Sequence, residues 1–392
     1  MADLARAVLL AALVASPLYL VKAHFGGLEP NALEAVAVIG LLLAAAGIAF
    51  HEVSLRGWAL AWPAAALLVA GTLALLLSPD LHASFGIYRQ FLVEPLAAGY
   101  ALHLLLRRQT HVWLAAWAVV GSGLVPAVAE IVSGLLQLQH FHSWDVHPPA
   151  AFYLNPNFAA LMIVPALAVT LGIALERRWR LPALACALVM LVGLTVSYSR
   201  GGFFGLAAAL VVIWWLGIRE KLPFAVGGVA AAILGLLLVP RMLERLQHEF
   251  DPHDPNNTVL SRLPIWRAAV QMIHDHPVTG IGLNSFASDL KVYAPQIAES
   301  HTHPHNLFLN LWLVLGVLGL AAYLWAIVWF GRVIRGGLKV SAWRPLYVGL
   351  AGALAAILVH GLVDSTIWRN DLALQFWTLV AIATSAPTAE QA

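Results

Sequence analysis

The sequence predicts an all-α integral membrane protein of about twelve transmembrane helices, with one large, partly helical loop on the outer side. Three observations predict it. Only 11% of the 392 residues are charged and 61% are hydrophobic, where a soluble domain carries about 25% charged residues; mean hydropathy is +0.81. Apolar runs long enough to cross the hydrocarbon, about 20 residues each, recur along the chain. The polar connections between those runs alternate in positive charge, the pattern of a chain threaded back and forth through a bilayer.

The runs fall at 5–23, 32–50, 58–77, 85–106, 112–135, 151–175, 181–198, 203–217, 221–239, 306–330, 345–363 and 371–386. Arg89, Gln90 and Glu94 interrupt the fourth, and the eighth is short. The first reads as a transmembrane helix rather than a cleaved signal, since no small-residue cleavage site leads into a soluble domain. Arginine and lysine gather in the even-numbered connections: 51–57, 107–111, 176–180, 219–221 and 331–344. Positive-inside bias puts these connections, and both termini, in the cytoplasm. The chain then divides into N-terminal helices over 1–150, central helices over 151–239, an outer loop over 240–305 and C-terminal helices over 306–392.

The outer loop is too long to be structureless in a compact protein. Pro264 suits the first turn of a helix. Ile265, Trp266, Ala269, Val270 and Ile273 follow as an apolar stripe at helical spacing, ended by His276-Pro277 and by Gly280 and Gly282. Such a helix is expected to lie on the membrane surface; a helix packed under the loop fits the stripe equally. A net charge of +2 gives no reason to expect nucleic acid. Cys186 stands alone, which excludes a disulfide within the chain and a cysteine metal cluster.

Four clusters carry chemistry. Ser199-Arg200-Gly201-Gly202 closes the seventh run. An arginine at the hydrocarbon edge is costly unless it snorkels or meets an anion, and its fork suits phosphate oxygens. Arg262 and Arg267 flank Trp266 on the outer side, where Arg89, Arg241, Arg245 and Arg369 also fall. Arginines there run against the inside bias, so they imply either an anionic substrate or anchoring to lipid phosphates. His301, His303 and His305 alternate just before the tenth run. His305 is expected in the first helical turn, where a helix N-terminus keeps imidazole neutral and able to act as a base. Three histidines, with Glu299, could instead bind zinc. Asp251 and Asp254 beside His253 form an acidic turn that could hold a divalent cation or simply be solvated. His360 and Asp364 could join a polar network or cap a helix end.

The order of these features resembles the O-antigen ligase and O-antigen polymerase superfamily of bacterial membrane proteins. The resemblance runs over roughly 150–320: Asn155-Pro156-Asn157, Ser199-Arg200-Gly201-Gly202, Arg262 with Trp266, His276-Pro277, Gly280-Ile281-Gly282, Phe286, His303-Pro304-His305-Asn306, Leu309 and Gly316. A weaker echo falls at 360–371, and the first four runs match in hydrophobicity alone. The resemblance implies a GT-C-like glycosyltransferase of the bacterial inner membrane, with its site on the periplasmic face and no cofactor or metal. Its donor would be an undecaprenyl-diphosphate-linked glycan, and its acceptor a glycolipid or glycan. His305 corresponds to the family's histidine, and Arg200 and Arg262 to the arginines on the donor diphosphate. Arg89, Trp266, His303, Asn306, Asn157 and Arg267 are further substrate-binding candidates. The chain lacks the long C-terminal extension of many protein O-oligosaccharyltransferases, which disfavours a protein acceptor.

The expected activity is therefore inverting transfer of a glycan to an acceptor hydroxyl such as that of lipid A–core. A polymerase extending the lipid-linked glycan would use the same donor residues. A transporter is the alternative from another class. It would place polar groups near the midplane in repeated halves, and only Glu94 favours that.

Overall fold

The computed structural model describes residues 1–23, 30–143, 148–153, 155–217 and 258–386. The ninth apolar run, Arg241, Arg245 and the Asp251–Pro255 turn lie outside them, as does the side chain of Glu299. Among the described residues there are helices and no β-strand. In chain order they are α1 Ala2–Val14, α2 Ala32–Ala49, α3 Ala61–Leu76, α4 Leu81–Tyr88, α5 Glu94–Leu105, α6 Gln109–Leu136, α7 Pro156–Ala174, α8 Arg180–Val196 and α9 Arg200–Gly217. After the undescribed stretch come α10 Thr258–Asp275, α11 Phe286–Tyr293, α12 Leu307–Gly337, α13 Arg344–His360 and α14 Asn370–Ser385. Five of these, α2, α6, α7, α9 and α12, are long and apolar enough to cross a membrane. The protein is a multi-pass helical membrane protein.

Helix α7 is the hub. Its span is 83% buried, against 28–56% for the other four, because α6, α8, α9 and α13 all pack around it. Both of its ends are specified locally. Asn155 caps the start, accepting a hydrogen bond from Asn157 N–H at 2.9 Å, and Pro156 occupies the first turn, where a missing N–H costs nothing. At the far end, Arg180 Nε donates to the Ala174 carbonyl at 3.3 Å. The same device recurs at that end of the bundle: Arg344 donates to Leu216 and Leu338 carbonyls at 2.8 and 3.1 Å. These arginines belong to the positively charged connections, and their forks satisfy orphan carbonyls of helix C-termini.

The interrupted fourth run is one continuous helical path. Residues Arg89–Val93 form a π-helical turn between α4 and α5. Arg89 there pairs with Glu34 and lies 3.4 Å from Glu94. Gln90 adds a 2.9 Å bond to Glu34. The polar residues that break the hydropathy pattern thus find partners in one another and in Glu34 near the start of α2.

The loop before α12 is a folded cover. Helix α10 begins at Thr258, upstream of Pro264, so the proline lies inside the helix rather than opening it. Most of its apolar stripe is covered by the protein itself: Ile265, Ala269 and Ile273 are buried with Phe286, Leu290 and Leu313, while Val270 is exposed. An amphipathic stripe specifies something apolar to cover, and here that is α11 and α12. The cover is pinned by a break in α12 at Gly316, whose φ of 68° is open to glycine. The break leaves the Leu313 carbonyl to accept from Ile281 N–H at 2.7 Å, while Val317 N–H donates to Val278 at 3.1 Å. A Cβ at 316 would fall on the Val278 carbonyl. Ser78 and Ser84 then hold the Leu283 N–H and carbonyl, each at 2.8 Å.

Candidate functional site

The N-termini of α7, α9 and α12 and the C-terminus of α13 meet at one end of the bundle, under α10. The segment 301–306 connects the cover to α12, and its shape is fixed by four bonds. Trp266 Nε1 donates to the Pro304 carbonyl at 2.9 Å. Asn306 caps α12 by accepting from Leu309 N–H at 3.0 Å and donates from Nδ2 to Leu362 at 2.9 Å. Leu307 N–H reaches the Gly361 carbonyl at 2.7 Å. His305 therefore sits one residue before the cap, outside the first turn where it was expected. Its φ of 49° is in the left-handed region, an uncommon setting for a non-glycine residue that clusters at functional sites.

Asp364, in the turn after α13, is the centre of the site. Its Oδ1 lies 3.4 Å from His303 Nε2 and 3.6 Å from His305 Nδ1, the second distance being beyond hydrogen-bond length. The two imidazoles stand 4.2 Å apart. Burial favours the neutral acid at Asp364, but the two histidines outweigh it and hold the carboxyl well below the usual carboxylate range. At His305, burial lowers the pKa, His303 and Arg262 add to that, and Asp364 opposes it. Burial, rather than a helix terminus, is the main cause favouring the neutral imidazole at His305. The atoms of His303, His305 and Asp364 that could ligate a metal all lie within 4.8 Å of one another. They would supply three of zinc's usual four positions.

Two cavities share Asp364 as a wall. The first, of about 110 Å³, is lined by Arg200, Arg262, Asn157, His360 and Asp364. Arg200 reaches it from the first residue of α9. The sharp entry there needs Gly201, since a Cβ would strike the His360 ring. Burial pulls Arg262 below the usual arginine value, with Asp364 partly restoring it; a guanidinium stays charged at neutral pH throughout. The second cavity, of about 290 Å³, has His303, Asp364 and Arg369 among its walls.

The candidates taken from the sequence therefore separate. Arg200, Arg262 and Asn157 share one cavity, and His303 lines the other. His305 lines neither cavity but touches Asp364 and His303. Trp266 spends its indole N–H on the Pro304 carbonyl, and Asn306 spends its amide on Leu309 and Leu362. Arg267 is exposed, and Arg89 is held by Glu34 and Glu94. Sequence reasoning left Asp364 out of the site. The signal for it was weak: one carboxylate at the end of an apolar run, 61 residues from His303.

Fold and site together define a multi-pass membrane protein with a histidine–aspartate cluster beside an arginine-lined cavity at one end of its bundle. Residues 185–324 match the family described as O-antigen ligase. The chain is also similar to a protein of Rickettsia typhi (strain ATCC VR-144 / Wilmington) named as a candidate polysaccharide ligase, with 26% identity over 208 residues, 49% of each chain. The chain thus spans about half the length of the curated relative it matches. The stretch matched to that family holds Ser199–Gly202, Arg262 and His301–Asn306, so the similarity covers most of the residues that build the site.

Proposed function

We propose that the protein transfers a glycan from undecaprenyl diphosphate to an acceptor hydroxyl at the periplasmic face of the bacterial inner membrane, within a GT-C-like bundle of about twelve spans. The observation that carries this reading is the shared wall: Asp364 closes a cavity holding Arg200 and Arg262 and also contacts both His303 and His305. Breaking a sugar–diphosphate bond builds negative charge on the leaving lipid diphosphate. Two guanidiniums answer that charge, each charge-assisted bond contributing about 1.5–3 kcal/mol.

The acceptor oxygen attacks the anomeric carbon from the side away from the diphosphate. The new C–O bond forms as the old one breaks, and the configuration inverts. The hydroxyl proton passes to His305, whose Nδ1 faces Asp364 and whose Nε2 is left to act as the base. Asp364 stabilises the imidazolium that results, as the carboxylate of a catalytic triad does. A positioned base is typically worth about 10²–10⁴-fold in rate. His303, already in a cavity wall, is the competing base. A metal on His303, His305 and Asp364 is the second reading, supported by the closeness of their ligand atoms.

The test is to incubate purified protein with an undecaprenyl-diphosphate glycan and candidate acceptors, with chelator. Expected are glycosylated acceptor and inverted linkage. Substrate flux across proteoliposomes with no glycan product would overturn the reading. The acceptor consumed separates ligase, which the family match favours, from polymerase.

A further inference from the structure

The second cavity has features that donor chemistry does not use. Four aromatic rings, of Phe91, Phe158, Phe286 and Trp368, stand in its wall. Three other wall residues carry buried polar atoms without a hydrogen-bond partner: Asn310 Nδ2, Ser365 Oγ and Arg369 Nη1. Asn310 and Ser365 are 1% and 7% exposed. Buried donors in native proteins are nearly always satisfied, so three orphans around one cavity point to a ligand that completes them.

Arg369 shows how the site is built. Asp371 holds its Nε and Nη2 at 2.6 and 2.7 Å. The rings of Tyr19 and Phe158 stack on its guanidinium at 4.8 and 4.4 Å. The fork is thereby fixed in one orientation, with Nη1 the nitrogen left over. Asn310 comes from the first turn of α12, three residues after its start, and Ser365 follows Asp364 directly.

The combination selects a ligand class. An aromatic wall suits the apolar C–H face of a sugar ring, by dispersion over the whole ring area. The N–H and O–H groups suit its hydroxyls. A prenyl chain would fill the aromatic part and leave the three donors unsatisfied. A metal would find no ligand set among them. Geometry adds a further reason. Inverting displacement needs nucleophile and leaving group on different sides of the anomeric carbon, and two cavities that meet at Asp364 provide two such places.

We propose that this cavity is the acceptor site, and that it binds a sugar residue of the acceptor through Asn310, Ser365 and Arg369 against the Phe158 and Trp368 rings. This rests on the transferase reading. The test has two arms on the full chain in nanodiscs. Saturation-transfer NMR with N-acetylglucosamine and with glucosamine 6-phosphate reads weak sugar binding without turnover, and geraniol serves as the hydrocarbon probe. Ser365→Ala removes a hydroxyl that bonds to nothing in the fold, so it leaves the protein intact; Asn310→Leu keeps volume and removes the amide. Each variant is expected to weaken sugar binding about 2- to 12-fold, the worth of one neutral hydrogen bond, and to raise the acceptor KM by the same factor with kcat and donor KM unchanged. Stronger binding of the glucosamine phosphate than of the neutral sugar would identify Arg369 as an anion contact within the same site. Equal sugar binding by wild type and both variants, or displacement of the sugar by geraniol, overturns the proposal while leaving transfer intact. Loss of sugar binding in the variants of a protein that shows no transfer supports the sugar site and removes the transferase reading instead.

Discussion

Asp364→Asn separates the proposed chemistry from mere packing. The side chain keeps its volume and its ability to accept from Ser365 N–H, a 2.8 Å bond, but loses the charge that faces both histidines. At least one charge-assisted contact is lost, the 3.4 Å pair with His303, worth about 1.5–3 kcal/mol. The 3.6 Å approach to His305 lies beyond hydrogen-bond length and adds Coulomb attraction on top. At about 1.4 kcal/mol per decade, transfer should fall roughly 10- to 150-fold. The pH profile supplies the sign. His305 must be neutral to act as a base, so the rate falls as pH drops through its folded value, which already lies below the usual histidine range. Asp364 raises that value, so removing its charge moves the acid limb to lower pH still. The assay is initial-rate transfer from an undecaprenyl-diphosphate glycan between pH 4.5 and 8, with thermal unfolding measured alongside. A variant within twofold of wild type, or an acid limb that stays put, refutes the role given to Asp364.

Three further outcomes follow from the same contacts. Trp266→Phe keeps the ring packing and loses the bond to Pro304, so kcat should fall by a factor of about 2–12, the worth of one neutral hydrogen bond, with donor KM unchanged; a raised donor KM instead would mean that Trp266 touches substrate. Gly316→Ala forces a Cβ into the left-handed region against Val278 and should destabilise the protein by at least about 1–3 kcal/mol, read as a lower melting temperature in detergent. Arg89→Gln strands Glu34 and Glu94 without their cation and should cost about 3–5 kcal/mol of stability, with KM values unchanged in the folded fraction; a specific rise in donor KM would return Arg89 to the substrate.

Much of this was readable from residue order. The apolar runs locate the described helices outside the cover because a helix in lipid must hide its backbone polar groups, and that constraint writes itself into composition. Arg200 was legible as a charge at the end of an apolar run and Arg262 as an arginine on the outer side, whereas Asn157 was singled out by the resemblance alone. Asp364 was less legible, since its importance comes from meeting His303 and His305 across the bundle. The stripe on α10 announced burial without naming the partner, and only the break at Gly316 shows how the cover attaches. Asn306 looked like a ligand because it follows His305, and Trp266 because it stands between Arg262 and Arg267. The polar atoms of Asn306 and Trp266 hold the backbone that presents His305.

In the proposed reaction a buried, neutral His305, with Asp364 facing its Nδ1, deprotonates the acceptor while Arg200 and Arg262 take the charge of the leaving diphosphate. Single-turnover transfer by His305→Ala, in chelator and at saturating donor, tests it most directly. The expected rate is about 10²–10⁴-fold below wild type, with donor binding retained and lost separately in Arg200→Ala. Wild-type rates from His305→Ala, or activity in the native protein that chelator abolishes and zinc restores, would contradict it.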